Sequence, residues 1–347
     1  MREGVVKTDA RTRSDVPASR WGVRLGAIWP YVQIARVDHW VKNAFMLLGV
    51  VVAVFYHPGA LSWGISARLA VALAATCLIA SSNYVLNELI DGPTDRLHPE
   101  KRHRPVPSGR VRARIAYAEW VLLGVAGMIL AWLVNPYFTL TAAWLWVMGI
   151  VYNVPPVRTK EWPYLDVLSE AVNNVIRLLL GWFALIPDRL PPLSLMLAYW
   201  MAGAFFMATK RFGEYRRIAD PATAAAYRRS FRHYTEERLL VSMMFYVTAC
   251  ALFSGVFIVR YHVELVLFAP FAAGFFAYYL KLGLKTDSPA QHPERLHRER
   301  GFVIYTIAIA LLFVVLMFVQ IPVLYAWFNV EAAGTGALWH LSAPRPR

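Results

Sequence analysis

The chain has 347 residues, of which 58% are hydrophobic and only 17% charged, with a mean hydropathy of +0.41. An ordinary soluble domain carries roughly 45–50% apolar residues, so this much apolar surface calls for lipid or the interior of a helix bundle. The composition excludes a disordered, collagen-like or disulfide-rich chain. The two cysteines, Cys77 and Cys250, both lie inside apolar runs and read as small packing residues. Net charge is +14, which suits nucleic acid, anionic lipid headgroups or phosphorylated ligands. The position of that charge along the chain selects among them.

The stretch up to about Arg20 is polar and predicted to be loose. It lacks the short basic region, apolar core and cleavage site of a signal peptide. Nine apolar runs follow, at approximately 42–57, 66–90, 113–133, 137–152, 165–186, 193–210, 239–259, 263–281 and 302–328. Each is long enough, or nearly so, for a hydrocarbon core of about 30 Å at 1.5 Å per residue. Strands are not expected, because lipid-exposed sheet edges leave backbone groups unbonded. Thirty of the 36 Lys and Arg fall before the first run or in the connections after the second, fourth, sixth and eighth. By the positive-inside rule those segments and the N-terminus are cytoplasmic, which points to an inner (cell) membrane protein. Charge so placed fits lipid headgroups and a phosphorylated ligand, with no nucleic acid. The predicted fold is all-α: a polytopic membrane protein, a bundle of about nine transmembrane helices with a cytoplasmic-facing polar site. Residues 1–25 form a loose segment, 26–330 one transmembrane domain and 331–347 a short tail.

The second run ends in Asn87-Glu88-Leu89-Ile90-Asp91-Gly92-Pro93-Thr94-Asp95. Asn87, Asp91 and Asp95 are spaced i, i+4, i+8, which puts three oxygen donors along one helix face. Such a row suits Mg²⁺, which takes a few carboxylates together with phosphate oxygens. Glu88 stands beside it as an assisting acid. Gly92-Pro93 is expected to break or kink the helix just after Asp91, leaving Asp95 on the loop side to turn back toward the same ion. Next comes a loop stiffened by prolines that carries Arg96, Lys101, Arg102 and Arg104. Acids followed by cations are what a diphosphate needs. His98 and His103 read as loop residues. On the fifth run, Asp166, Glu170, Asn174 and Arg177 form a polar stripe at near-helical spacing. It serves either the bundle interior or a structural pair, Glu170 with Arg177 or Asp166 with Arg158.

Asn-x-x-x-Asp-x-x-x-Asp at the end of a second membrane helix, in a nine-helix chain, resembles the UbiA superfamily of intramembrane prenyltransferases. The continuation Asp95-Arg96, His98-Pro99, Lys101-Arg102, Arg104-Pro105 and Ser108-Gly109 resembles its decaprenyl-phosphate phosphoribosyltransferase branch. Three further stretches are similar to that branch: His39-Trp40-Val41-Lys42-Asn43, Lys210-Arg211-Phe212-Gly213-Glu214 after the sixth run, and Tyr227 through Leu239. Tyr152 resembles a superfamily position beside the active cavity. The sequence differs from the branch at Glu88, where Asp is usual, at Gly92-Pro93 and at Glu170. The resemblance covers roughly residues 30–325 and implies a UbiA-like transferase domain.

It further implies Mg²⁺-dependent transfer of a 5-phosphoribosyl group from phosphoribosyl diphosphate to a polyprenyl phosphate, for cell-envelope biosynthesis. Asn87, Asp91 and Asp95 would be catalytic and hold the metal with Glu88. Lys42, Asn43, Arg96, Lys101, Arg102, Arg104, Tyr152, Asp166, Lys210, Arg211 and Glu214 would bind substrate. Aromatic prenyltransferases of the superfamily carry a second Asp-x-x-x-Asp where this chain has Lys210-Arg211-x-x-Glu214. That exchange suits a donor with both a diphosphate and a separate monophosphate. The alternatives are prenyl transfer from a polyprenyl diphosphate to an aromatic or other acceptor, and a non-catalytic transporter. The sequence leaves the oligomeric state open. It contains no glycine-rich nucleotide loop, zinc motif or nucleophile elbow.

Overall fold

In hydrocarbon every backbone amide must bond within its own element, and this chain meets that demand with helices. The computed structural model describes residues 28–60, 64–96, 101–218, 220–285, 288–291, 293–331 and 338–341. The predicted loose segment 1–25, His98 with its neighbours and most of the tail 331–347 lie outside the described residues. Among the described residues there is no strand, only an isolated bridge between Arg189 and His340.

A 3-10 stretch, Val37–Phe45, leads into α1 (Met46–Tyr56). Then follow α2 (Ile65–Asp95), α3 (Ala113–Val134), α4 (Pro136–Asn153) and α5 (Leu165–Phe183). The remaining long helices are α6 (Leu193–Ile218), α7 (Glu236–Tyr261), α8 (Ala269–Gly283) and α9 (Arg300–Phe318). Among the described residues, six segments are long and apolar enough to cross a membrane: Ile28–Tyr56, α2, α3, α6, α7 and α9. The predicted runs 137–152, 165–186 and 263–281 are helical as well, as α4, α5 and α8. They fall outside that set. α5 carries three charged side chains, Asp166, Glu170 and Arg177, and α8 has only 15 residues.

Three predicted boundaries change. The helix expected to break after Asp91 runs on through Pro93 to Asp95. Proline so near a helix end removes an N–H from the last turn only, and the Thr94 hydroxyl bonds the Asp91 carbonyl at 2.9 Å. The sixth run extends to Ile218, so Lys210, Arg211 and Glu214 lie within α6 and not on a loop after it. The last run stops at Phe318 and resumes as a short helix, Pro322–Phe328. Val319 is already extended, at φ −95° and ψ 139°, and Pro322 keeps Ile321 outside the helical region before opening the short helix at its first position.

α2 packs along α3 and α4, α5 along α1, α4 and α6, and α6 along α7. The α1–α5 crossing rests on a reciprocal pair of glycines. A Cβ on Gly49 would stand 2.0 Å from the Leu178 carbonyl oxygen, and one on Gly181 would stand 2.0 Å from that of Met46. Helices without a hydrophobic drive between them associate through such close backbone contact. At about 46 Å, the 31-residue α2 is longer than a hydrocarbon core of about 30 Å, and its last turns lie at one end of the bundle. There they meet the ends of α4 and α6 and the segments 37–45, 101–112, 158–161 and 220–235.

Gly181→Val is expected to lower the melting temperature of the detergent-solubilised protein or abolish its recovery. Overpacking costs about 1–3 kcal/mol even where side chains can yield, and here backbone is opposed. Gly59→Val, with nothing within 4 Å of its Cβ, should melt like the parent.

Candidate active site

A cavity of about 610 Å³ opens among these ends. α2 contributes Tyr84, Asn87 and Asp91, and α6 contributes Lys210, Arg211 and Glu214. Lys42 and His39 enter from the 3-10 stretch, Lys101 and Arg104 from the basic loop, Tyr152 and Asn153 from α4, and Glu170, Asn173 and Arg177 from α5. Lys160, Arg228, Arg36, Asn83, Arg217 and Thr223 add further polar groups to the lining.

The oxygen row is only partly assembled. Asn87 donates to Asn153 Oδ1 at 2.5 Å and to Asp91 Oδ2 at 3.3 Å. Asp91 Oδ1 receives the Lys160 ammonium, and Arg158 at 3.3 Å. Lys160 also reaches Asn153 Oδ1 at 2.9 Å. Arg158 adopts a left-handed backbone, φ +30°, in the turn that brings both cations back to α2. Burial pulls the Lys160 ammonium down to about 8, and the Asp91 carboxylate is the main influence opposing it. Asp95 is absent from the lining. It is 4% exposed and bound by Arg104 at 2.8 Å. An unbroken helix drifts about 40° for every four residues, so Asp95 is turned roughly 80° from Asn87. The expected break that would have returned it does not occur. Glu88 points away too, accepting the Val106 N–H at 3.1 Å and anchoring the basic loop. Gly92 lets that loop approach, since a Cβ there would lie 2.8 Å from Val106.

Of the loop cations, Lys101 and Arg104 line the cavity, whereas Arg96 and Arg102 are exposed outside it. Burial also lowers the Lys101 ammonium, which faces Glu214 at 3.9 Å. Lys42 lines the cavity beside His39 Nδ1, 3.0 Å away. Asn43 is buried behind it. It accepts from Arg177 Nε at 3.0 Å and so orients a guanidinium that does reach the cavity.

Asp166 has no solvent exposure and lies outside the lining. Its carboxylate accepts from Arg211 Nε at 3.1 Å, Ser230 at 3.2 Å and the Tyr234 hydroxyl at 2.6 Å. The Tyr234 oxygen in turn takes the Tyr164 N–H. Arg211 and Arg228 both donate to the Tyr152 hydroxyl at 3.1 Å. Neither structural pair expected from the sequence forms, since Arg158 turns to Asp91 and Arg177 to Asn43.

Several polar lining residues escaped the sequence reading as site residues, among them Tyr84, Asn153, Lys160, Asn173 and Arg228. Asn153 and Lys160 stand in the quoted Tyr152–Lys160 connection, but spacing does not relate them to Asp91, 62 and 69 positions away along the chain. Among the described residues no cluster of three or more His, Cys, Asp or Glu side chains forms. The oxygens of Asp91 and Asn153 nevertheless converge on a cation, the Lys160 ammonium, and hard carboxylate and carboxamide oxygens are what Mg²⁺ prefers. The residues fit such an ion.

Asp166→Ala should cost about 1–3 kcal/mol in thermal or denaturant unfolding, because Arg211, Ser230 and Tyr234 all lose their buried acceptor, while Arg211 keeps its ion pair with Glu214. Tyr234→Phe, losing one hydrogen bond, should cost about 1 kcal/mol.

With this geometry in view, comparison with known proteins is informative. The chain is 29% identical over 209 residues to decaprenyl-phosphate phosphoribosyltransferase of Mycolicibacterium smegmatis, covering 60% of this chain and 63% of that protein. It is 30% identical over 145 residues to protoheme IX farnesyltransferase of Korarchaeum cryptofilum, covering 41% and 47% of the two chains. The fold matches a UbiA homologue from Archaeoglobus fulgidus bound to GPP and Mg²⁺, with a TM-score of 0.60 at 18% identity over 81% of this chain and 99% of that one. The UbiA prenyltransferase family model matches residues 44–293, most of the helical bundle just described, and the chain belongs to that family.

Proposed function

We propose that the protein transfers a 5-phosphoribosyl group from phosphoribosyl diphosphate to a polyprenyl phosphate, releasing diphosphate. The observation that carries this reading is Lys210. It lines the cavity one residue from the tethered Arg211 and makes no ion pair among the described residues. A donor with a monophosphate apart from its diphosphate needs a cation of its own, and a prenyl diphosphate does not. The relatives named decaprenyl-phosphate phosphoribosyltransferase support the same reading.

In this mechanism Lys42, Lys101, Arg104 and Lys210 bind the donor phosphates and stabilise charge growing on the leaving diphosphate. Asn87 and Asp91, with Asp95 if Arg104 releases it, would hold Mg²⁺, which supplies charge neutralisation at a diphosphate. The new bond joins an acceptor phosphate oxygen to the anomeric carbon as the bond from that carbon to the diphosphate breaks. The acceptor oxygen is already anionic at neutral pH, so no strong general base is required. Apolar surface between the helices takes the polyprenyl tail. The site faces the cytoplasm, with the N-terminus on the same side.

Prenyl transfer is the second reading, favoured by the farnesyltransferase relatives and by the structural neighbour bound to GPP and Mg²⁺. Purified protein incubated with polyprenyl phosphate and phosphoribosyl diphosphate, with the lipid product weighed by mass spectrometry, separates the two. A phosphoribosylated lipid is expected. Product only from a prenyl diphosphate and an aromatic acceptor would overturn the reading. Asp91→Ala should lose most turnover and the divalent-ion requirement should be absolute. Lys210→Ala should weaken kcat/KM for the donor by roughly 10- to 150-fold, the value of a charge-assisted contact of about 1.5–3 kcal/mol. Cysteines at Ser108 and Thr223 should be labelled from the cytoplasmic side only, and one at Pro191 from the opposite side only.

A further inference from the structure

The cavity holds one acid that the phosphate chemistry does not use. Asp91, Asp95, Asp166 and Glu214 each carry a Lys or Arg partner. Glu170 also lines the cavity, yet among the described residues it makes no ion pair. Its one hydrogen bond is a long one, 3.4 Å, from the Asn173 amide. The other end of that amide, Asn173 Oδ1, is buried with no partner. Glu170, held by a single long bond, and the unpartnered Asn173 Oδ1 thus leave acceptor capacity unused on one turn of α5, within a half-buried polar pocket.

An uncommitted carboxylate repels a phosphate, and an apolar prenyl chain laid against it would leave a charge desolvated. It is well matched by a neutral group that donates hydrogen bonds, and a hydroxyl bonded to a carboxylate makes the stronger, charge-assisted kind. Neighbouring hydroxyls on a sugar ring would satisfy Glu170 and Asn173 together. We infer that Glu170 and Asn173 form a hydroxyl-recognition site for the pentose of the donor, and that this pair selects a sugar diphosphate over a prenyl diphosphate. The assignment rests on the proposed phosphoribosyl reading for the identity of the sugar. It is distinct from the phosphate contacts, which either class of donor would use.

The test measures binding and transfer separately. Calorimetry on the intact protein, parent and Glu170→Ala, uses phosphoribosyl diphosphate, its 2-deoxy analogue and geranyl diphosphate. kcat/KM is measured for the first two donors. The parent should prefer the full ribosyl donor in binding, and Glu170→Ala should shrink that preference by roughly tenfold or more. Differences in the donors' intrinsic reactivity cancel in this ratio of ratios. Geranyl diphosphate should bind the variant no worse than the parent. Asn173→Ala should shift the preference in the same direction. An unchanged preference in a folded Glu170→Ala protein overturns the inference, as does an effect on the divalent-ion requirement with the hydroxyl preference intact. If the ribosyl donor binds with Glu170-dependent preference but is not transferred, the site stands and the phosphoribosyl reading falls. If it is transferred with a preference independent of Glu170, the reading stands and the site falls. No binding of either ribosyl compound sinks both.

Discussion

A carboxylate with no solvent exposure is tolerated only when donors surround it, and Asp166 is held on those terms. Its donors come from three places: Arg211 on α6, Ser230 in the 3-10 turn Arg229–Arg232, and Tyr234 just beyond it. One buried charge thus fixes α5, α6 and the segment between α6 and α7 relative to each other. Tyr164 sits at φ +64°, and its N–H bonds the same Tyr234 oxygen, so the start of α5 belongs to the network. The consequence at the cavity is that Arg211 and Arg228 are both brought to the Tyr152 hydroxyl before any ligand arrives. Like charges held that close set two donors in place for an anion, although Arg211 is still shared with Asp166 and Glu214.

Much of this arrangement was legible in the sequence. Hydropathy located the helices, and charge asymmetry located the end where the site would lie. Of the residues identified as site residues, Asn87, Asp91, Lys101, Arg104, Lys210 and Arg211 line the cavity, whereas Glu88, Asp95, Arg96 and Arg102 do not. What periodicity could not resolve was direction around a helix that does not stop. Pro93 signals a break, yet near a helix end it costs little, and the unbroken turn carries Asp95 away to Arg104. Glu88 and Asn43 showed the right residue types, but each is spent on holding something else, the basic loop in one case and Arg177 in the other. Lys160 and Arg228 act across tertiary contacts that no local spacing records.

The resting cavity is a set of mutual neutralisations. Asp91 carries Lys160 and Arg158, Asp95 carries Arg104, and Glu214 carries Lys101 and Arg211. In a region of low dielectric, none of these charges could remain unpaired at acceptable cost. An incoming phosphate therefore finds Lys101, Arg104, Lys160 and Arg211 already held by carboxylates and must compete for them. Partner exchange solves this. When a phosphate takes Lys101 or Arg104, the acid it displaces must find another positive charge, and a divalent ion arriving with the diphosphate is the natural one. On the proposed reading, acids and cations interleaved in this way would make binding of the anion and of its metal mutually dependent. Glu170 makes no ion pair among the described residues and so stands outside the exchange, which in the proposed assignment leaves it to read the uncharged part of the ligand. In the proposed assignment, the same pairs that hold the cavity's walls together divide it into a region that would read charge and a region that would read hydroxyls.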